Sequence, residues 1–375
     1  MIWYLLLFSA AMLLSACVDS KAVIGTEDVS PEVVLKLNAG PNNPRNSEGD
    51  FIKLSDGRIL FIYTHYYGHS TSDHATAYLA SRLSSDGGST WSQEDQIVVE
   101  NEGQQNVMSV SLLRLQSGDI ALFYMRKNSL DDCITMMRVS RDEALTWSEP
   151  ISCIMDQGGY YVLNNDRVIQ TKSGRILVPV SRHSTTGGEW SRGGILSCYF
   201  SDDNGKTWLH SDEVPNHTDY MFQEPGLIEQ EDQSILMFFR SDAGTQCFTT
   251  SKDGGKTWSI PSRSQLVSPR SPATIERIPH SNDLLAVWNN NLTLNPEEAS
   301  LRTPLSIAIS DDKGISWKKI KSLENDPDRR YCYTAMHFIE DAVLLAYADG
   351  SYLAETHWGP IKMIKVPLSW INQLY

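Results

Sequence analysis

Ser84-Ser85-Asp86-Gly87-Gly88-Ser89-Thr90-Trp91 is a phrase that this chain repeats. Reduced to Ser-x-Asp-x-Gly-x-Thr-Trp, it returns at residues 140–147, 201–208, 251–258 and 310–317. A short phrase recurring every roughly 50–60 residues marks a repeat architecture. Each copy is turn chemistry followed by a packing anchor. Asp accepts bonds from nearby amides, and Gly takes a positive φ without steric cost. The Thr and Trp that follow suit a returning strand. The second copy carries Ala144 where Gly is expected, which predicts a degraded turn; the last carries Ser316 for Thr. These Asp residues read as structural rather than catalytic, because one centre does not need five copies.

A second repeat lies between the phrases. An apolar strand, a polar turn and a very apolar strand occupy residues 51–61, 110–124, 167–180, 226–239, 274–288 and 336–347. These are six hairpins, and a phrase follows five of them. Each full unit therefore holds about four strands, the content of one propeller blade. The expected fold is all-β, a six-bladed β-propeller over residues 31–375. The sixth unit lacks the phrase, so residues 361–366 and 33–37 are expected to complete it and fasten the ring.

The net charge of −14 argues against nucleic acid and against an anionic membrane surface. An anionic ligand needs a local basic cluster against that background. Residues 5–14 form a short apolar run ending in Leu14-Ser15-Ala16-Cys17. The run is too short to span a bilayer and ends in small residues, as export signals do. A Cys in this setting resembles a bacterial lipobox, although Met1-Ile2-Trp3-Tyr4 carries no Lys or Arg. The expectation is a signal over residues 1–17 with Cys17 lipidated, a tether over 18–30, and membrane attachment through that anchor alone. It implies an exported lipoprotein of the outer membrane, cell surface or periplasm. Five Cys remain, at 133, 153, 198, 247 and 332. They read as small buried residues with at most one or two disulfides. No spacing suggests zinc or another metal, and no cofactor is implied.

In a propeller the starts of the innermost strands converge at one mouth of the channel. Those starts are residues 45–50, Met108 and Ser109, Asn165 and Asp166, Glu224, Ser271 and Tyr333. Arg240 and Arg302 lie where they can face the same mouth. The five phrases (Asp boxes), six hairpins, spaced arginines, Glu and late Tyr resemble the sialidase superfamily, bacterial exo-sialidases above all. The resemblance runs from about Arg45 to Gly350. It implies that Arg45, Arg240 and Arg302 are the three carboxylate-binding arginines. It implies Asp73 as acid/base, Glu224 as the group assisting the nucleophile, and Tyr333, rather than Tyr331, as nucleophile. Asn165 and Arg167 form a further polar cluster at an inner-strand start and are candidate substrate-binding residues. The segment 182–194, with Trp190, is a candidate rim.

The chemistry explains these residue types. Sialic acid carries a carboxylate on its anomeric carbon, which three arginines can hold by charge-assisted bonds. A carboxylate nucleophile would be repelled there; a neutral Tyr is not, and Glu can take its proton. Tyr nucleophiles are the sialidase exception to the two-carboxylate glycosidase scheme. The resemblance thus implies an exo-acting, retaining glycoside hydrolase releasing terminal sialic acid, or a related 2-keto-acid sugar, from a glycan. The alternatives are a propeller glycosidase for another sugar and a non-catalytic glycan-binding propeller on the cell surface. The sequence also departs from the family. Arg45 is followed by Asn46-Ser47-Glu48-Gly49 instead of Ile-Pro or Val-Pro. Arg277-Ile278-Pro279 reads as a decoy in a turn. Glu48 and Asp50 are expected to add negative charge at the mouth.

Overall fold

The computed structural model describes residues 30–155, 158–291, 301–353 and 358–373. The export segment, Cys17 and all of the tether but Ser30 lie outside the described residues.

Strand β1 (Glu32–Leu37) precedes a meander of β2 (Asn46–Lys53), β3 (Ile59–Tyr66), β4 (Ala77–Ser84) and β5 (Gln96–Val99). The second unit is β6 (Asn106–Arg114), β7 (Ile120–Lys127), β8 (Cys133–Ser140) and β9 (Ile151–Ser152). The third is β10 (Gly159–Val162), β11 (Ile169–Gln170), β12 (Ile176–Thr185), β13 (Ile195–Ser201) and β14 (Leu209–His210). Two further meanders follow: β15 (Phe222–Glu229), β16 (Ile235–Ser241), β17 (Thr245–Ser251) and β18 (Ser262–Val267), then β19 (Thr274–Arg277), β20 (Leu284–Asn289), β21 (Leu305–Ser310) and β22 (Lys318–Glu324). The chain ends in β23 (Arg329–Phe338), β24 (Ala342–Ser351), β25 (Ile361–Pro367) and the short helix α1 (Leu368–Asn372).

All six expected hairpins are present as antiparallel pairs. The ladders themselves divide into five sheets, because β10 pairs in parallel with β8 through Tyr160 and Cys133 and fuses the second and third units. The last sheet runs β1-β25-β24-β23, so the N-terminal strand completes the final unit as expected. Neighbouring units meet in a cycle. β2 contacts β6, β12 contacts β15, β15 contacts β19, β19 contacts β23, and β23 contacts β2. The second and third units join where Asp166 N–H donates to Val110 O and Arg167 N–H to Ser111 Oγ. The architecture is the all-β propeller that the repeats predict.

The core fills the wedges between neighbouring units. Phe61 and Tyr63 of the first unit pack with Leu344 and Met363 of the last. Five more clusters occupy the remaining junctions in turn.

The repeated phrase builds the corners of these wedges. In every copy the Asp takes two bonds from the Thr or Ser four residues on: the backbone N–H at 2.8–3.0 Å and the hydroxyl at 2.5–2.7 Å. Both carboxylate oxygens are thereby occupied, and bonds from Thr90 hold the Asp86 carboxyl down at about 2. Each Trp packs into the wedge shared with the preceding unit. The turn with Ala144 is not degraded. It keeps the same bonds, with Glu143 and Ala144 held at φ 59° and 65°. What changes is the anchor, since Trp147 is only half-buried. Among the described residues the five Cys are all buried and unpaired, so none of the possible disulfides forms between them. Four of them fill the core as small buried residues, while Cys332 lies against Arg302.

Candidate active site

The inner strands share a local distortion that places the chemistry. β2, β6, β15 and β23 each skip register once, between Ser47 and Asp50, Met108 and Ser111, Gln223 and Gly226, and Cys332 and Ala335. In each bulge one non-glycine residue has a left-handed backbone: Glu48, Ser109, Glu224 and Tyr333, at φ 50° to 66°. Such a conformation costs on the order of 1–3 kcal/mol and persists only where its surroundings impose it. A bulge breaks the in-out alternation and re-aims a side chain. Glu224 and Tyr333, two of the three expected catalytic residues, stand at these points.

Glu224 Oε1 pairs with Arg240 Nη2 at 2.9 Å, and both side chains are about nine-tenths buried. The Arg302 guanidinium lies 5.4 Å from the centre of the Tyr333 ring and donates to Cys332 Sγ at 3.0 Å. Burial pushes the Tyr333 phenol well above its usual range; Glu224 pushes it further, while Arg302 and Arg240 pull it back. The phenol is therefore neutral at rest with a carboxylate beside it. Tyr331 faces the opposite way, buried against Tyr347 at 6.1 Å.

Arg45 is almost fully buried. Its Nη1 donates to Asp73 Oδ1 at 2.5 Å and to Thr71 O at 3.1 Å, and its Nη2 donates to Ser47 Oγ at 3.2 Å. Asp73 lies on the loop between β3 and β4. Asn106 fixes that loop by donating to the carbonyls of Asp73 and Ala75. Partial burial works to raise the Asp73 carboxyl, but Arg45 and Lys127 outweigh it and hold the group below the usual carboxylate range.

The two halves meet on one aromatic ring. Trp358 lies 5.3 Å from Arg45, 5.2 Å from Arg302, 3.8 Å from Arg330 and 5.8 Å from the Tyr333 ring. Six expected residues thus form one cluster: Arg45, Asp73, Glu224, Arg240, Arg302 and Tyr333. Trp358, Arg330, Lys127, Tyr66 and Cys332 also belong to it and were not anticipated. Cys332 and Arg330 adjoin the Tyr333 motif and could have been flagged by proximity. Trp358 lies outside every repeat and carries no signal.

Two expected substrate-binding residues are not in the cluster. Asn165 lies beneath it, with Nδ2 donating to Gly49 O and Tyr333 O, so its amide ties two bulges together. Arg167 turns the other way. It donates to Ala273 O at 2.6 Å and lines a cavity of about 390 Å³ with Asp50, Asp166 and Glu276. Asp50 belongs to that cavity and not to the mouth, because its carboxylate accepts from Phe51 and Leu112 N–H. Arg277 sits at the turn end of its hairpin, bonded to Asn282 O and Glu229 O, as a decoy should. Trp190 is 45% exposed and stacks on His183 at 5.3 Å.

Fold and site together define an all-β propeller with an arginine-lined mouth. Residues 66–345 match the family described as BNR repeat-like domain, and the chain belongs to that family. A sialidase of Bacteroides fragilis is 23% identical over 319 residues, covering 77% of this chain and 57% of its own length. A Clostridium perfringens sialidase is 27% identical over 260 residues, covering 61% of this chain and 65% of its own length. The chain thus spans roughly three-fifths of these curated relatives. The crystal structure of the NanB sialidase of Streptococcus pneumoniae superposes with a TM-score of 0.72 at 15% identity, covering 92% of this chain and 71% of that one. This chain is a divergent member of the sialidase superfamily.

Proposed function

We propose that this protein is an exo-acting, retaining glycoside hydrolase that releases a terminal sialic acid, or a related 2-keto-acid sugar, from a glycan. The observation that carries this reading is the neutral Tyr333 between Glu224 and Arg302, with Arg45 and Asp73 across the shared Trp358. Three guanidinium groups gathered at one mouth suit the carboxylate of an anionic sugar, which they can hold by charge-assisted bonds, better than a neutral one. In this reading the Tyr333 oxygen attacks the anomeric carbon while its proton passes to Glu224. Asp73 protonates the departing glycosidic oxygen, and the same carboxylate then activates the water that breaks the tyrosyl–sugar bond.

The resting site makes one demand on that sequence. Asp73 must carry a proton to act as acid, yet Arg45 holds it ionised. A substrate carboxylate on the Nη2 side of Arg45 brings negative charge near that pair and so eases transfer of a proton to Asp73 in the chemical step.

The test is release of sugar acid from an aryl sialoside by the purified protein and by Tyr333→Phe. Turnover lost by about 10³-fold or more in the variant is expected, since the nucleophile is removed. Full turnover by the variant would exclude Tyr333, and no release from any sialoside by the intact protein would exclude the substrate class. We also propose that the chain is anchored through Cys17, on the Leu14-Ser15-Ala16-Cys17 motif. Metabolic labelling with palmitate, lost in Cys17→Ala, is the expected result; an unlabelled intact protein overturns it.

A further inference from the structure

Glu48 occupies a place in this site that the mechanism does not use. It is the left-handed residue of the β2 bulge, at φ 50° and 6% exposed. One carboxylate oxygen lies 4.0 Å from Arg45 Nη2, too long for a hydrogen bond. The other oxygen is buried and has no hydrogen-bond partner among the described residues. A structural ion pair would satisfy its acceptors, because a buried charge left short of bonds is expensive. Glu48 is a poorly paired carboxyl at the centre of a cluster built for another carboxylate.

Its neighbours come from several elements around the mouth. Arg45 precedes β2, Tyr66 ends β3, Asp73 sits on the following loop, Lys127 ends β7, Tyr160 lies on β10 and Glu224 on β15. Burial raises the Glu48 carboxyl to about 7; Asp73 and Glu224 add to this, and Arg45 and Lys127 oppose it. Burial pushes Tyr66 and Tyr160 above the usual phenol range, and Asp73 is held low, so none of these three competes near neutrality.

Arg45 has one edge to offer. Its Nη1 is taken by Thr71 and Asp73, which leaves the Nη2 side facing Ser47 and Glu48. A substrate carboxylate arriving there meets Glu48. Two carboxylates on one buried guanidinium edge cannot both stay charged at low cost; a proton on one of them removes the repulsion.

We propose that Glu48 sets the preference of the site for an anionic sugar by taking up one proton from solvent as the sugar's carboxylate binds Arg45. Neutral Glu48 then donates its O–H to an oxygen of the ligand, while ionised Glu48 competes with the ligand for Arg45. This specificity-determining role rests on the proposed function and adds the protonation state in which the site accepts its substrate.

The experiment is calorimetric titration of wild type and Glu48→Gln with 2-deoxy-2,3-didehydro-N-acetylneuraminic acid. It is run from pH 5.5 to 8.5 in two buffers of different ionisation enthalpy. Wild-type Kd is expected to be flat below about pH 7 and to weaken about tenfold per pH unit above it, with roughly one proton taken up at pH 8. Glu48→Gln should bind with a Kd that hardly changes over that range and with no proton linked to binding. Wild-type binding without proton uptake, measured on the native protein and so independent of the variant's folding, overturns the proposal while leaving the sialidase reading intact. So does a variant that retains the linked proton. Absence of binding by both proteins at every pH overturns the functional reading and this proposal with it.

Discussion

The protonation of Glu48 has a consequence for stability that needs no ligand. Its carboxyl titrates at 4.5 in an ordinary setting and at about 7 when buried beside Asp73 and Glu224. Between those values the folded chain keeps a proton that the unfolded chain has lost. The folded state binds more protons there, so stability falls as pH rises. At about 1.36 kcal/mol for each pKa unit, the full difference comes to about 3 kcal/mol. The stabilisation is present below pH 4.5, shrinks through the interval, and is gone above about 7. Asp50, Asp166 and Glu276 are also raised by burial, so the absolute pH profile sums several groups. Subtracting Glu48→Gln from wild type cancels them, because Gln keeps the shape of the side chain without its proton. The assay is urea denaturation of both proteins from pH 4 to 8.5. Relative to the variant, wild type should lose about 3 kcal/mol across pH 4.5–7 and run parallel to it on either side. Parallel curves throughout would show that Glu48 is ionised at neutrality, and the argument from its buried, unpaired oxygen would fail.

Other outcomes follow from the corners and the site. Ser201→Ala removes the hydroxyl that accepts Gly205 N–H at 2.8 Å and should cost about 1–3 kcal/mol in urea denaturation while leaving kcat unchanged. Trp208→Ala, at a fully packed wedge, should cost about 3–5 kcal/mol, and Trp147→Ala clearly less because that ring is half-buried. Gly88→Ala should destabilise strongly by the same measure: Gly88 sits at φ 82°, and a Cβ there would come within 2.6 Å of Leu344 Cδ1. Trp358→Ala should raise KM for an aryl sialoside more than it lowers kcat, since the ring positions Arg45 and Arg302 and is not itself a reacting group.

The fold was legible because both repeats are local. Turn chemistry and strand alternation are written within about ten residues, and periodic spacing multiplies the signal. Arg240 and Glu224 were legible for the same reason, each standing at a fixed place in a hairpin. What the sequence obscured is where a bulge sends its residues. Glu48 and Asp50 are two apart, which on a regular strand puts them on one face. The register skip between Ser47 and Asp50 separates them instead, Glu48 to the mouth and Asp50 to the cavity that also takes Arg167. Asn165 was misread for a related cause. A polar residue at an inner-strand start can serve a ligand or the backbone of the next bulge, and its amide serves Gly49 and Tyr333. Trp358 reaches the site from a segment with no periodicity, so no pattern could have placed it.

The missing sixth phrase has a structural answer at the other end of the chain. Each phrase supplies a Trp to the wedge shared with the preceding unit, and the last unit has none to give to its junction with the fifth. That wedge is filled from α1, where Ile371 is buried and Leu368 and Trp370 pack against Leu285, Ile307 and Leu345. Lys321 donates to Trp370 O at 2.8 Å and lies 4.0 Å from the centre of its ring, tying the helix to the fifth unit. Immediately before α1, β25 accepts β1 as its outer partner. The C-terminal segment therefore does two jobs that other units divide between a phrase and their own fourth strand: it anchors the wedge and closes the ring. The site depends on that closure, because Arg45 enters from the first unit and Tyr333 from the last. Asn46 N–H, one residue past Arg45, donates to Gly359 O, next to Trp358. The ring's seam and the candidate active site are built from the same few residues, so loosening the seam should reach the chemistry before it unfolds the rest.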